Sequence, residues 1–261
     1  MKHAMIFLLL ILGFTLQAQA VVISEEISYQ SGDQTMKGYI AYDDQFRGKR
    51  PGVLVVHEWW GHNSYARKRA DMLAQLGYVG FAIDMYGDGK NTDHPKEAGA
   101  FSKAVKSNMP VAEKRFNAAQ ALLSQHKMVD PASIAAMGYC FGGGIVLEMA
   151  RSGADLKGVA SFHGSLKTST PAQKASMKAK VLVANGADDP FVKEQDIVSF
   201  HQEMKQADVS YKFFNYEGAK HSFTNPDADR FARQFNMPLG YNKPADEQSW
   251  QQLQTFLKEI F

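Results

Sequence analysis

Ile134-Ala135-Ala136-Met137-Gly138-Tyr139-Cys140-Phe141-Gly142-Gly143-Gly144 is the stretch that decides how this 261-residue chain is read. Ile134 to Met137 is a short apolar run of the kind that forms a buried strand, and Ile145 to Ala150 beyond the glycines has helical character. Cys140 stands between them at the centre of a glycine–x–nucleophile–x–glycine pattern. A side chain projected from a tight strand-to-helix turn needs a strained backbone, and a neighbouring Cβ would clash there, so glycines flank it. The helix that follows points the positive end of its dipole at the sulfur and favours a thiolate. The Phe141 N–H, next along the chain, is placed to donate to an oxyanion.

Two other readings of the stretch are open. Free cysteine is often a small buried hydrophobe with no chemistry. A glycine-rich loop can also cradle phosphate, but no Gly-Lys-Ser/Thr follows here, and Leu147 stands where a dinucleotide loop counted from Gly142 and Gly144 would need its third glycine.

The rest of the chain decides between them. Val181 to Ala184 reads as a strand, and Asn185-Gly186-Ala187-Asp188-Asp189-Pro190 leaves it. Either acid can orient a histidine; the turn fixed by Pro190 and the G-x-x-D spacing from Gly186 favour Asp189 over Asp188. Tyr211 to Tyr216 is the next strand, and His221 lies on the loop after it. Nucleophile, acid, histidine is the chain order of α/β-hydrolases, and the separations of 49 and 32 residues each leave room for one strand–helix unit. Upstream, the strand Gly52 to Val56 runs into His57-Glu58-Trp59-Trp60-Gly61-His62, the loop that in this fold supplies the second oxyanion N–H, here assigned to Trp59. A metal reading of His57, Glu58 and His62 does not match zincin spacing, since H-E-x-x-x-H has one residue too many.

Working outward, Val22–Tyr29 and Thr35–Tyr42 read as two strands turning at Ser31-Gly32-Asp33, Ser64–Leu76 as a helix, and Tyr78–Ile83 as a buried strand. Residues 94–107 and 110–125 read as helices, Gly158–Phe162 as a strand, Asp196–Ala207 as a helix and Ala245–Ile260 as the closing helix. The alternation predicts an α/β fold: a mostly parallel sheet with helices on both faces and an antiparallel N-terminal edge pair, with chemistry at the carboxyl ends of the strands.

With these motifs in view, the sequence resembles the dienelactone hydrolase family over essentially all of the chain past residue 20. The resemblance rests on the Gly138–Gly144 elbow, the Glu58-bearing loop, Asp84-Met85-Tyr86-Gly87, Asp189-Pro190-Phe191-Val192 and Lys220-His221-Ser222-Phe223. It implies Cys140 as nucleophile, His221 as base, Asp189 as orienter, and Glu58 as a carboxylate contacting the resting thiol. It implies cleavage of a small-molecule ester or lactone, with no cofactor. In chlorocatechol-pathway members an Arg two residues past the corresponding tyrosine helps hold the substrate carboxylate; here Asp88 stands there. A thioesterase, a peptide-bond hydrolase, or a non-catalytic thiol-redox or binding protein are the rival readings.

Trp59 and Trp60 read either as pocket walls or as core, and Trp60, Tyr86 and His163 are the candidate substrate-binding residues. Arg67-Lys68-Arg69 reads as a solvated helix face. With 29 Lys and Arg against 27 Asp and Glu, the net charge of +2 is not that of a nucleic-acid binder. The single cysteine excludes an intramolecular disulfide. Lys2, the apolar run Met5–Leu16 and Ala18-Gln19-Ala20 form a secretory leader with cleavage after Ala20, so residues 21–261 are expected as one exported, periplasmic domain. Twelve residues at 1.5 Å each fall short of a bilayer core of about 30 Å, so no stable membrane association is expected after cleavage. A monomer or small homo-oligomer is expected.

Overall fold

Along Arg50–Val56, alternate side chains enter two separate cores: Leu54 and Val56 pack on one face of the sheet, Val53 and Val55 on the other. Both sets are fully buried, which is why the segment reads as a continuous apolar run rather than an alternating one. A computed structural model describes residues 21–261; the leader expected over residues 1–20 lies outside them. The elements in chain order are β1 (Val22–Ser31), β2 (Gln34–Asp43), β3 (Arg50–Val56), α1 (Ser64–Gln75), β4 (Val79–Ile83), α2 (Pro95–Lys106), α3 (Met109–Gln125), β5 (Val129–Tyr139), α4 (Phe141–Arg151), β6 (Gly158–Phe162), β7 (Lys180–Gly186), α5 (Glu194–Gln206), β8 (Tyr211–Tyr216), α6 (Ala228–Phe235) and α7 (Lys243–Ile260).

The strands form one eight-stranded sheet in the order β1-β2-β4-β3-β5-β6-β7-β8. β1 and β2 pair antiparallel at the edge, β2 meets β4 antiparallel, and the pairings from β4 onward are parallel. Helices α1 and α7 cover one face through Ala66, Leu73, Leu253 and Phe256. Helices α3, α4 and α5 cover the other through Phe116, Ile145, Met149 and Phe200. Among the described residues no helix is long and apolar enough to cross a membrane.

Register aligns the carboxyl ends. Val56 pairs with Gly138, Tyr139 with Phe162, Phe162 with Ala184, and Gly186 with Tyr216. The loops that follow β3, β5, β6, β7 and β8 therefore open side by side on one rim.

Helix α6 was not expected from the sequence. Its buried residues Ala228 and Phe231 are three apart, too short a stripe to stand out in a polar stretch. They pack with Trp60, Ala98 and Leu239 in a third small core above the sheet. The Phe231 and Trp60 rings stack with centroids 4.0 Å apart.

Candidate active site

The end of β5 and the start of α4 meet at Cys140, whose φ of 53° and ψ of −113° lie where side chains other than hydrogen are strained. The two flanking glycines allow this. A Cβ on Gly138 would lie 2.2 Å from the Gly142 carbonyl oxygen, and one on Gly142 would lie 2.3 Å from that of Val56. Backbone on both sides leaves nothing that could move away. The Phe141 N–H is the first of α4, and no helical carbonyl precedes it to accept its hydrogen bond.

The structure brings Cys140, His221 and Asp189 together. His221 Nε2 lies 3.1 Å from Cys140 Sγ, and its Nδ1 lies 2.7 Å from Asp189 Oδ2. The Asp189 carboxylate is fully buried, and its other oxygen accepts the Phe191 N–H at 2.8 Å. Asp188, one residue earlier, is exposed. Burial alone would lower the His221 imidazole, but thiolate charge at Cys140 and the bond to Asp189 outweigh it and raise its pKa to about 10. The favoured state is therefore imidazolium beside sulfur. Phe191 stands edge-on to the ring at 5.0 Å.

Glu58 makes other contacts than those implied by the resemblance. It is fully buried, and its carboxylate accepts from Ser222 Oγ at 3.0 Å and from Asn225 Nδ2. Cys140 Sγ is bonded to His221 instead. Glu58 thus ties the loop after β3 to the loop carrying His221, across 164 residues of sequence. Burial pushes its carboxyl above the ordinary range, while the two hydrogen bonds pull it back.

His57 was weighed only as a metal ligand; it is a structural link. The Met85 N–H donates to its Nε2 at 3.2 Å, so the ring proton sits on Nδ1 and goes to the Glu58 carbonyl at 2.6 Å. Burial lowers its pKa to about 4, which keeps it neutral. The ring stacks on Phe141 at 5.7 Å and so backs the nucleophile's neighbour. His62 Nε2 donates to the Ala82 carbonyl at 3.0 Å. The sets of partners of His57, Glu58 and His62 are all different, and no group of three His, Cys, Asp or Glu residues among those described could hold a metal.

Asp84-Met85-Tyr86-Gly87 is also a brace. The Asp84 carboxylate is buried and accepts four backbone N–H groups, from Lys37, Tyr86, Gly87 and Gly89. That turn delivers the Tyr86 hydroxyl to the Trp59 carbonyl at 3.0 Å.

Four further residues, Trp60, Tyr86, His163 and Arg69, are placed differently from expectation. Trp60, Tyr86 and His163 are buried, and none of them lines the cleft. Trp60 is held against Phe231, Tyr86 supports the oxyanion loop, and His163 lies beneath Cys140. Trp59 is the tryptophan that lines the cleft. Arg69 is not solvated but buried, because it follows Tyr65 and precedes Leu73 by one helical turn each on the inward face of α1. Its guanidinium donates to Asp246 at 2.6 Å and to the Thr224 carbonyl at 2.8 Å. Asp88 stays on the surface, accepting from Gln34 at 3.0 Å, away from the cleft.

The cleft over Cys140 has a volume of about 590 Å³. Trp59, Ile145, Phe191, Met237 and Leu239 give it apolar walls. Met237 and Leu239 come from the segment after α6, which is tied to the histidine by the Gly240 N–H donating to the His221 carbonyl at 3.1 Å.

Known proteins resemble this chain in sequence and fold. A dienelactone hydrolase-like promiscuous phosphotriesterase from metagenomic libraries, designated P91, has a crystal structure that superposes with a TM-score of 0.85 at 31% identity, covering 92% of this chain and 99% of that one. "Protein usf" of Aquifex pyrophilus is 27% identical over 78% of this chain and 88% of its own length. A Bradyrhizobium protein named "Probable 2-oxo-3-(5-oxofuran-2-ylidene)propanoate lactonase" is 29% identical over 67% of this chain and 74% of its own. The sequence profile of the dienelactone hydrolase family matches residues 36–261, a span that includes Cys140, Asp189 and His221. The chain belongs to the dienelactone hydrolase family and is a hydrolase of esters or lactones on an α/β-hydrolase fold.

Proposed function

We propose that the hydrolysis runs through a thioester on Cys140. The observation that carries this reading is the unbroken line from the buried Asp189 carboxylate through His221 to the sulfur. The Cys140 thiolate attacks the carbonyl carbon of the ester or lactone. The oxyanion that forms is met by the N–H groups of Phe141 and Trp59. The tetrahedral intermediate collapses, its C–O bond breaks, and the His221 imidazolium gives its proton to the leaving alkoxide. Acylation removes the thiolate charge that raised the imidazole, so His221, having given up its proton, is no longer held protonated and acts as the base that takes a proton from water. The hydroxide attacks the thioester, the C–S bond breaks, and the acid product leaves with thiolate restored.

Glu58, Ser222 and Asn225 hold the two loops of the site at fixed separation during these steps. The cleft combines the apolar walls of Trp59, Ile145, Met237 and Leu239 with Lys106, Lys167 and Glu148, so it fits an apolar acyl group, and Asp88 lies outside it. Export to the periplasm after cleavage at Ala20 belongs to the same proposal and rests on the leader sequence.

The test is a panel of p-nitrophenyl esters, lactones, acyl thioesters, peptides and a phosphotriester, with mass spectrometry of the quenched enzyme. The expected result is turnover of esters or lactones and an acyl adduct on Cys140. Preferred turnover of thioesters or peptides would select a rival substrate class. Stoichiometric alkylation of Cys140 that leaves ester hydrolysis intact would remove the thiol from the mechanism.

A further inference from the structure

His163 is 0% exposed and follows β6 directly, with φ at 40°. A bulky side chain in that conformation is uncommon and needs a reason. The Cys140 N–H donates to His163 Nδ1 at 3.1 Å and to the Phe162 carbonyl at 3.0 Å. Because Nδ1 accepts, a neutral ring carries its proton on Nε2, which lies 2.8 Å from Thr224 Oγ1. Thr224 is itself fixed from the opposite face of the sheet: Tyr65 OH lies 2.6 Å from its hydroxyl, and Arg69, paired with Asp246, donates to its carbonyl. Burial, with the charges of His221 and Arg69, keeps His163 well below the ordinary histidine range and therefore neutral.

We infer that His163 is a positioning residue for the nucleophile, its imidazole holding the strained Cys140 backbone from beneath through an ordered chain, Cys140 N–H to His163 to Thr224, anchored on α1 and α7. Rotation about φ of Cys140 turns the peptide plane before it against the side chain and the Phe141 N–H after it. Two acceptors on the preceding N–H fix one end of that rotation. The other end then presents sulfur to His221 and the Phe141 N–H to the oxyanion. The same ring stands edge-on to His221 at 5.3 Å, so its neutrality also spares the imidazolium a like charge.

The inference rests on Cys140 as the nucleophile, and the experiment separates the two. Inactivation of the wild-type protein by iodoacetamide tests the nucleophile by itself; an alkylated enzyme that remains active overturns that reading and the inference with it. In the wild type, 15N-detected imidazole NMR is expected to show His163 as the neutral Nε2–H tautomer, and an Nδ1–H tautomer or an imidazolium would overturn the inference alone. H163N places an amide oxygen near the position of Nδ1 and tolerates positive φ, whereas H163L fills the space with no acceptor. Misplacement of reacting groups by about 1 Å costs roughly a hundredfold, so H163L is expected to lose about that in kcat with KM little changed, and H163N less than tenfold. T224V is expected to lower kcat about tenfold in the wild type and to add nothing in H163N, which no longer needs Thr224 to set a tautomer. If H163L matches H163N, or T224V is additive with H163N, His163 only fills space.

Discussion

The two ends of the sheet solve turns differently. At the amino ends, helices α1 and α4 close on Gly77 and Gly153, whose φ values of 89° and 85° cost glycine little. Asp208 after α5, at 59°, is of a residue type that tolerates the conformation. At the carboxyl ends glycine again takes plain turns, at Gly61, Gly87, Gly89 and Gly218, but positive φ also falls on Cys140, His163 and Ser222, at 53°, 40° and 59°. Glycine would relieve each of these, but it would remove a thiol, an imidazole or a hydroxyl that the site uses. Buried polar groups follow the same division: Glu58, His57, Asp84, Asp189 and Thr224 crowd the rim, where each has hydrogen-bonding partners. At Cys140, His163 and Ser222 the rim therefore holds side chains against their backbone preference, which glycine could not supply.

Removing members of the Cys140–His221–Asp189 line tests this contrast most severely. Cys140→Ala and His221→Ala are expected to abolish measurable turnover. Asp189→Asn should cost on the order of 10⁴-fold in kcat, because the imidazole loses its tautomer and orientation. Asp188→Asn, exposed on the same turn, should stay within twofold of wild type. Steady-state kinetics decide it, and a larger loss at Asp188 would reassign the orienting acid.

The glycines sharpen the comparison through stability. Gly142→Ala drives a Cβ to 2.3 Å from the Val56 oxygen, against backbone that cannot yield. A cost of about 3 kcal/mol or more follows, lowering Tm by roughly 6–12 °C in a chain of this size. Gly153→Ala at the opposite end meets only Ser176 O at 3.1 Å and pays mainly for its φ, about 1–2 kcal/mol. Equal shifts in calorimetry would break the distinction between the two ends.

The pH profile comes next. In the proposed mechanism His221 must be protonated to release the leaving alkoxide, and its pKa is raised to about 10. kcat/KM should therefore hold up to that region and fall as pH rises through it. Since Asp189 is one cause of the elevation, any residual activity of Asp189→Asn should turn down at lower pH.

Glu58→Gln should lower kcat by about tenfold, because one of two donors, Ser222 or Asn225, then faces an amide N–H. Iodoacetamide should alkylate Cys140 no faster in this variant, since the carboxylate is bonded to those two residues rather than to sulfur. Faster alkylation near neutral pH would instead give Glu58 the thiol-restraining role that the resemblance implies.

The remaining effect is on acid stability rather than on turnover. His57 is neutral when folded, with its pKa lowered to about 4 from 6.5. Its contribution is complete above the unfolded value and is lost as pH falls from 6.5 toward 4, at up to about 1.4 kcal/mol per pH unit. Chemical denaturation at pH 7 and pH 4.5 should show a shallower loss in His57→Gln than in wild type.

Strand and helix order, the elbow at Cys140 and the chain order of Cys140, Asp189 and His221 are legible in the sequence, because each rests on local patterns. An apolar run, a helical spacing or a glycine at a steric pinch keeps its meaning without neighbours. Asp189 could be preferred to Asp188 for the same reason, since Pro190 and Gly186 define the turn locally. What could not be read was which polar residue faces which. Arg69 looked like surface charge until α1 turned it inward onto Asp246, 177 residues away. Glu58 found Ser222 and Asn225, His57 found Met85, and His163 found Cys140 and Thr224, each across a gap closed by sheet register. Trp60 became core only because α6, too short and polar to signal itself, folded over it. Local sequence sets the conformations available to each segment; a buried hydrogen bond needs two segments to arrive at one place, and only the packed sheet makes that happen.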